Sequence, residues 1–457
     1  MKITHVSTAL FTCLVLAYPS HAQVTAPSPA TPVSAPEPQT PATPPTPSVK
    51  PTAQEQALNE LKNSALLQAY SAAWKELAPI LSMDNVKAEL KQLNRFEFSA
   101  ETKKKLFELF GNENPLHLKS KPLKNGNAEL AFVCDSLDYQ DPKSGSKTHT
   151  DALIGKSVFS QRYRKEHTVA KLASINFDDG KSTQVSANGF SYVADQTRGD
   201  GGLWFGTGVA KLDHLAFDDR TKDVHVNVDG VTLKSELKKR GKLMDMVSDS
   251  FIKSINWGSD SVGPVHMAFK VSNIDAKEFA AFVEKEKALN QTQATDAQRT
   301  AATVGMVKAL GIATLKQGGA IEIPDISVQY HGMTAGLNGR IAFSNVLESD
   351  FATPKLIAEK VIARFDLHVP MALVTYISRK FSRSSLETQS KSNGQPVTDQ
   401  AVDAMAKGMV GNIMIKPLQE KWIRIENGTL LSTIEFKMGK LTVNGQPVSL
   451  PASKATP

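Results

Sequence analysis

Ten histidines and two pairs of consecutive aspartates give this 457-residue chain side chains suited to metal binding or acid–base work. Their spacing decides whether either chemistry is available. His225, His266 and His368 fall on polar positions of stretches that alternate apolar and polar residues, so a metal site would need them to converge from neighbouring strands. No i, i+2 histidine pair and no adjacent Cys/Asp ligand set accompanies them in the sequence, and they read as separate, solvated residues. Asp178-Asp179 and Asp218-Asp219 could be taken as the paired acids of a hydrolase. As neighbours followed by Gly180 and Arg220, they read more simply as turn residues. Ser250 to Lys253 spells S-x-x-K, but the companion motifs of the penicillin-binding enzymes are missing, and neither a G-x-S-x-G elbow nor an H-E-x-x-H helix occurs. Glycines 199, 201, 202, 206 and 208 resemble phosphate-cradling loops without the strand and helix such a loop joins, so a bulged strand or hairpin is expected there. Cys134, flanked by Phe132 and Val133, reads as a small buried hydrophobe. No catalytic, cofactor-binding or metal-ligating residue is assigned, no cofactor is expected, and the chain is not expected to be an enzyme.

The stronger signal is apolar. Val265, Met267, Phe269 and Val271 alternate with His266, Ala268, Lys270 and Ser272, and these four apolar residues are the candidate lining of an apolar groove. A charge at Phe269 is expected to cost several kcal/mol if that layer is closed. Val224, Val226 and Val228 alternate in the same way, as do Phe365, Leu367 and Val369, and less cleanly Leu430, Ile434 and Phe436. One apolar and one polar face per strand predicts an antiparallel sheet covered on one side. Turn signals agree: Phe177-Asp178-Asp179-Gly180, Phe217-Asp218-Asp219-Arg220, Asn427-Gly428 and Asn444-Gly445.

Helices are predicted from Thr52 and Glu55, a capping box, through Trp74 and Leu77, and from Glu101 to Phe110, stopped by Gly111. Two more interrupt the strands, one capped by Asp275 with Glu278 and running through Phe279 and Phe282, the other over Ala301 to Leu315 and ended by Gly318-Gly319. Segments Asn290 to Arg299 and Arg383 to Thr398 read as polar loops. The expected fold is α+β: an elongated, curved antiparallel sheet of long strands with helices over one face, preceded by an N-terminal helical segment. A mainly β fold is the alternative.

Before the folded part, Lys2, an apolar run from Val6 to Tyr18 and the small residues Ser20 and Ala22 make a secretory signal with cleavage after Ala22. Roughly 13 apolar residues are too few to span a bilayer as a helix, which needs about 20. Residues 1–22 are therefore read as a signal peptide and 23–51, with ten prolines, as a disordered extended spacer. Residues 52–127 are read as the helical segment and 128–457 as the α+β domain. The periplasm is the expected location, a retained inner-membrane anchor the alternative, and no transmembrane span is expected in the mature chain. The net charge of +7 suits weak attraction to anionic headgroups, and nucleic acid is not an expected partner after export.

Gly439-Lys440-Leu441-Thr442-Val443-Asn444-Gly445-Gln446-Pro447-Val448 resembles the ending of the YdgA-like family of bacterial envelope proteins. Gly206-Thr207-Gly208-Val209-Ala210-Lys211-Leu212 is similar to that family's glycine-rich strand. Val265 to Phe282 and Phe343 to Ile377 resemble its strand-then-helix units, so the likeness covers roughly residues 130 to 450. It implies an exported protein of unassigned biochemical function on long antiparallel strands, and it brings no catalytic or binding residues. The cleavable signal and proline-rich spacer depart from the family's short retained anchor. The expected role is that of a non-enzymatic binding protein for a lipid or other hydrophobic ligand, or for an envelope protein partner. A homo-oligomeric structural or assembly protein, associating through sheet edges, is the alternative.

Overall fold

Three amphipathic helices open the computed structural model, which describes residues 65–448 apart from 82, 84, 200, 201 and 291–295. Helix α1 (Ala65–Leu81) buries Leu66, Ala69, Ala73 and Leu77 at helical spacing. Helix α2 (Val86–Leu93) is capped by Asn85, whose side chain accepts from the Ala88 amide at 3.1 Å. Helix α3 (Ala100–Phe110) stops at Gly111 in the left-handed region, where a glycine carries no steric cost. The capping box at Thr52 and Glu55, the signal and the spacer lie outside the described residues.

The chain then turns to strands: β1 (Leu116–Pro122), β2 (Ala128–Cys134), β3 (Leu137–Gln140), β4 (Lys147–Thr150), β5 (Leu153–Ser160) and β6 (Lys165–Asp178). Five long strands follow, β7 (Thr183–Arg198), β8 (Trp204–Asp219), β9 (Val224–Arg240), β10 (Leu243–Trp257) and β11 (Asp260–Asp275). A helical hairpin, α4 (Ala276–Asn290) and α5 (Asp296–Lys316), leads to β12 (Ala320–Tyr330) and β13 (Met333–Phe343). After α6 (Pro354–Lys360) and β14 (Val361–Pro370) comes a second hairpin, α7 (Met371–Asn393) and α8 (Asp399–Gln419). Strands β15 (Arg424–Glu426), β16 (Thr429–Lys437), β17 (Lys440–Val443) and β18 (Gln446–Val448) close the described chain.

All 18 strands belong to one antiparallel sheet. From β5 to β14 each strand pairs with the next in strand order, a meander interrupted by the α4–α5 hairpin between β11 and β12 and by α6 between β13 and β14, and β14 continues through β16 and β17 to β18. The α+β class, the long strands and the helices over one face are as the sequence predicts. Three expectations are corrected. The sheet begins with β1, inside the stretch read as helical, because Leu116 and Leu118 alternate with His117 and Lys119 and pair with β2. The polar stretch after Arg383 is helical as far as Asn393, since no glycine or proline interrupts it before Gly394, and Arg383 pairs with Asp399 on α8. Similarly, Arg299 lies within α5 rather than in a loop.

A line of glycines runs across the sheet. Gly189 on β7, Gly230 on β9 and Gly263 on β11 have positive φ; Gly189 and Gly230 sit in one cross-strand row with Ala173, Asp213 and Lys253, and Gly263 lies one residue off that row, opposite Ser254. At this row the side-chain alternation shifts by one residue on every strand. Apolar residues therefore remain on one face at a spacing of three: Leu172 and Ile175, Ala187 and Phe190, Leu212 and Leu215, Val228 and Val231. Without the shift, half of each long strand would turn its apolar side chains to the opposite face.

The core is divided. Helices α1–α3 pack with Leu130, Leu137, Phe159 and Trp204 at the N-terminal edge. A second cluster fills the apolar face over β2 and β5–β8, around Phe132, Leu172, Phe190 and Tyr192. A third joins Leu237, Met244 and Ile274 to Phe279, Val283 and Leu310 of the α4–α5 hairpin. Among the described residues no helix is long and apolar enough to cross a membrane.

Candidate functional site

Directly opposed residues of an antiparallel pair share a face. That rule places Val265, Met267, Phe269 and Val271 on the apolar face, opposite Ile252, Ser250, Ser248 and Met246 of β10. One cross-strand row through Met267 reads Leu233, Ser250, Met267, Ile326, Leu337 and Leu367, from β9 to β14, and ends on Ser432 of β16. A parallel row holds Ile323, Gly339, Phe365, Ile434 and Val443. Phe365 lies directly over Gly339, so the floor has no ridge at that strand.

The same row is closed in one half of the sheet and open in the other. On β2, β6 and β7 its members Phe132, Ala170 and Tyr192 are all under 9% exposed, whereas Leu233 is 46%, Leu367 38% and, one row on, Phe269 39% exposed. Two helical hairpins bound the open part. The α4–α5 pair covers Val271 at one end. At the other end α7 crosses the strand termini: Lys380 forms an ion pair with Asp260, Tyr376 meets Tyr330 edge-on at 5.3 Å between ring centroids, and the Lys380 ammonium stands 6.0 Å from the Trp257 ring. Asp260 is held below the usual carboxylate range by the Lys380 and Tyr330 hydrogen bonds. Between the hairpins lies an apolar trough floored by β9 to β14 and β16 and dotted with the hydroxyls of Ser235, Ser248 and Ser250, while Ser432 at its border is buried and donates its hydroxyl to the Trp422 carbonyl. Of the four candidate groove residues, Val265, Met267 and Phe269 lie on this floor, and Val271 lies under the helices. Leu233, Ile326 and Leu337 belong to it as well, and the sequence reading missed them.

The polar face has a different character. Six of the described histidines pair with an aspartate, most across neighbouring strands: His117 with Asp135, His149 with Asp138, His167 with Asp195, His214 with Asp229, His225 with Asp218, and His266 with Asp325. The sequence does not display these pairs, because the aspartate partners are brought alongside by the ladder. His266 donates or accepts at both ring nitrogens, 2.7 Å from Asp325 and 3.2 Å from Asp249. The Asp325 hydrogen bond raises its pKa against the opposing effect of burial. His225 is raised likewise, first by Asp218. His225, His266 and His368 sit on β9, β11 and β14 and do not converge. Among the described residues no group of three or more His, Cys, Asp or Glu is arranged to hold a metal ion.

The remaining candidates also resolve. Asp178 accepts from the Gly180 amide, and Asp179 accepts from the amides of Lys181, Ser182 and Thr183 at 2.8–2.9 Å. Asp219 accepts from the Thr221 amide and hydroxyl. These carboxylates are turn locks. Ser250 and Lys253 point to opposite faces of β10, so they form no nucleophile–base pair. Gly199 and Gly202 lie in the connection of the β7–β8 hairpin, as expected for a hairpin, while Gly206 and Gly208 lie within β8 in continuous register with β7 and form no bulge. A Cβ at Gly206 would strike the Asp195 carbonyl of that neighbouring strand. The Cys134 thiol is buried among apolar residues, which pushes its pKa up to about 12. A cleft of about 450 Å³ on the polar face is lined by Asp138, His149, Asp178 and Asp218, but each of these already has a hydrogen-bond partner.

Comparison with known proteins adds a family and nothing finer. A family described as "Bacterial protein of unknown function (DUF945)" matches residues 95–451. No curated protein matches, and no solved structure matches.

Proposed function

The chain belongs to the DUF945 family of bacterial proteins of unknown function, and from that premise we propose that it is an exported binding protein that holds an acyl-chain lipid on its open apolar trough. In this reading the signal is removed after Ala22, the protein works in the periplasm without catalysing a reaction, and its relatives are the YdgA-like envelope proteins. The observation that carries it is the exposure of Leu233, Phe269 and Leu367 on one uncharged, cross-strand apolar surface. A monomeric protein normally covers such a surface.

The dimensions support the choice of ligand. Seven strands at about 4.8 Å spacing make a floor on the order of 29 Å across. An acyl chain reaches about half of the roughly 30 Å bilayer core, so the floor accommodates one chain along its full length. Association through sheet edges has less in its favour, because the edge strands β3, β15 and β18 have only 4, 3 and 3 residues, and the 7-residue edge strand β1 already has its Ser120 amide and carbonyl bonded by the Asn94 side chain. The test is an organic extract of protein purified natively without detergent, analysed by mass spectrometry. Acyl lipid recovered in stoichiometric amount supports the reading, and lipid-free extracts from repeated preparations oppose it.

A further inference from the structure

Opposite the filled half of the apolar face, the outer surface of β5–β10 carries lysines interleaved with exposed aliphatic and aromatic side chains. One cross-strand row reads Lys156, Val169, Val193, Val209, Lys234. The adjacent row reads Ile154, Lys171, Ser191, Lys211, Thr232, Phe251. All four lysines are exposed, and Ile154, Val193 and Phe251 are 58%, 41% and 38% exposed. The patch spans six strands, about 24 Å.

The four lysines outnumber the two carboxylates within the patch, Asp195, hydrogen-bonded to His167, and Asp249, which faces Lys234 and is hydrogen-bonded to His266. Asp213 and Glu236 stand at its borders. Basic residues around protruding apolar side chains are what an anionic bilayer surface selects: lysines meet the phosphates while the apolar groups enter the headgroup boundary.

We propose that this patch docks the protein flat on an anionic phospholipid surface. The proposal is independent of the acyl-chain reading, since it uses the opposite face of the sheet. An acidic protein partner would use the lysines but would not need a fluid lipid surface.

The test is co-sedimentation of the full chain with vesicles of phosphatidylglycerol and phosphatidylcholine, and with phosphatidylcholine alone. Binding is expected only to the anionic vesicles and should weaken as salt is raised. At about 1 kcal/mol per lysine, Lys171→Ala with Lys211→Ala should lower affinity roughly thirty-fold. Lys156→Gln with Lys234→Gln gives an independent pair should the first misfold. Leu367→Asp, in the trough, should leave vesicle binding unchanged, which separates this proposal from the acyl-chain reading. Equal binding to neutral vesicles, absence of binding to anionic ones, or full binding by both folded lysine pairs overturns the proposal.

Discussion

Phe269→Asp distinguishes an open trough from a closed core. In a closed layer an unpaired carboxylate would cost several kcal/mol and unfold a domain of ordinary stability. Phe269, however, is 39% exposed, so roughly three-fifths of its side chain is withdrawn from water. Full burial of a phenylalanine contributes about 1.5–3 kcal/mol, and the share lost here is about 1–2 kcal/mol, with the new carboxylate remaining hydrated. Met244, fully buried between β9 and β11 and packed with Leu237 and Ile274, provides the contrast. Met244→Asp should cost more than about 4 kcal/mol. Urea denaturation followed by circular dichroism measures both. If Phe269→Asp is as damaging as Met244→Asp, the trough is closed in solution and the reasoning fails.

Other consequences are independent of the ligand. Gly241→Ala places a Cβ in open space at φ +63° and should cost about 1–2 kcal/mol of backbone strain, whereas Gly189→Ala adds a collision with the Asp213 carboxylate and should cost measurably more by the same urea assay. The raised pKa of His266 gives stability that is fully present below its unfolded value, near 6.5, and is lost as pH rises through the folded value. Wild type should therefore lose more stability than His266→Gln between about pH 6 and pH 9, and parallel pH profiles would dissociate the Asp249–His266–Asp325 contact from stability. The Cys134 thiol should resist iodoacetamide at about pH 8 in the native protein and react promptly in urea, as read by mass spectrometry of its peptide; rapid native labelling contradicts its burial.

Much of the architecture is legible because it is local. Period-two stretches at Val224–Val228, Val265–Val271 and Phe365–Val369 mark β9, β11 and β14, and Asn427-Gly428 and Asn444-Gly445 mark hairpins whose asparagines and glycines adopt positive φ. What stays hidden depends on register. Leu337 sits between Gly336 and Gly339, where no alternation is visible, and Leu233 belongs to an alternating run from Val231 to Leu237 whose phase is shifted at Gly230 against that of Val224 to Val228. The signal that could have located them is the spacing of three around Gly189, Gly230 and Gly263, repeated on successive strands. Each histidine's aspartate partner is likewise set by pairing and by no short motif. The polar stretch after Arg383 misled because serine, glutamine and lysine suit an exposed helix as well as a loop.

The central claim is that the trough holds an acyl chain, and titration of a fluorescent 16-carbon fatty acid into the detergent-free protein tests it most directly. A chain lying on an open floor gains about half of the 0.8 kcal/mol available per methylene, or about 6 kcal/mol, which corresponds to a Kd on the order of tens of micromolar. The account predicts saturable binding in that range, weakened at least tenfold by Leu233→Asp with Leu367→Asp while circular dichroism is unchanged. Equal binding by the wild type and the folded double variant, or no saturable binding by the wild type, would contradict it.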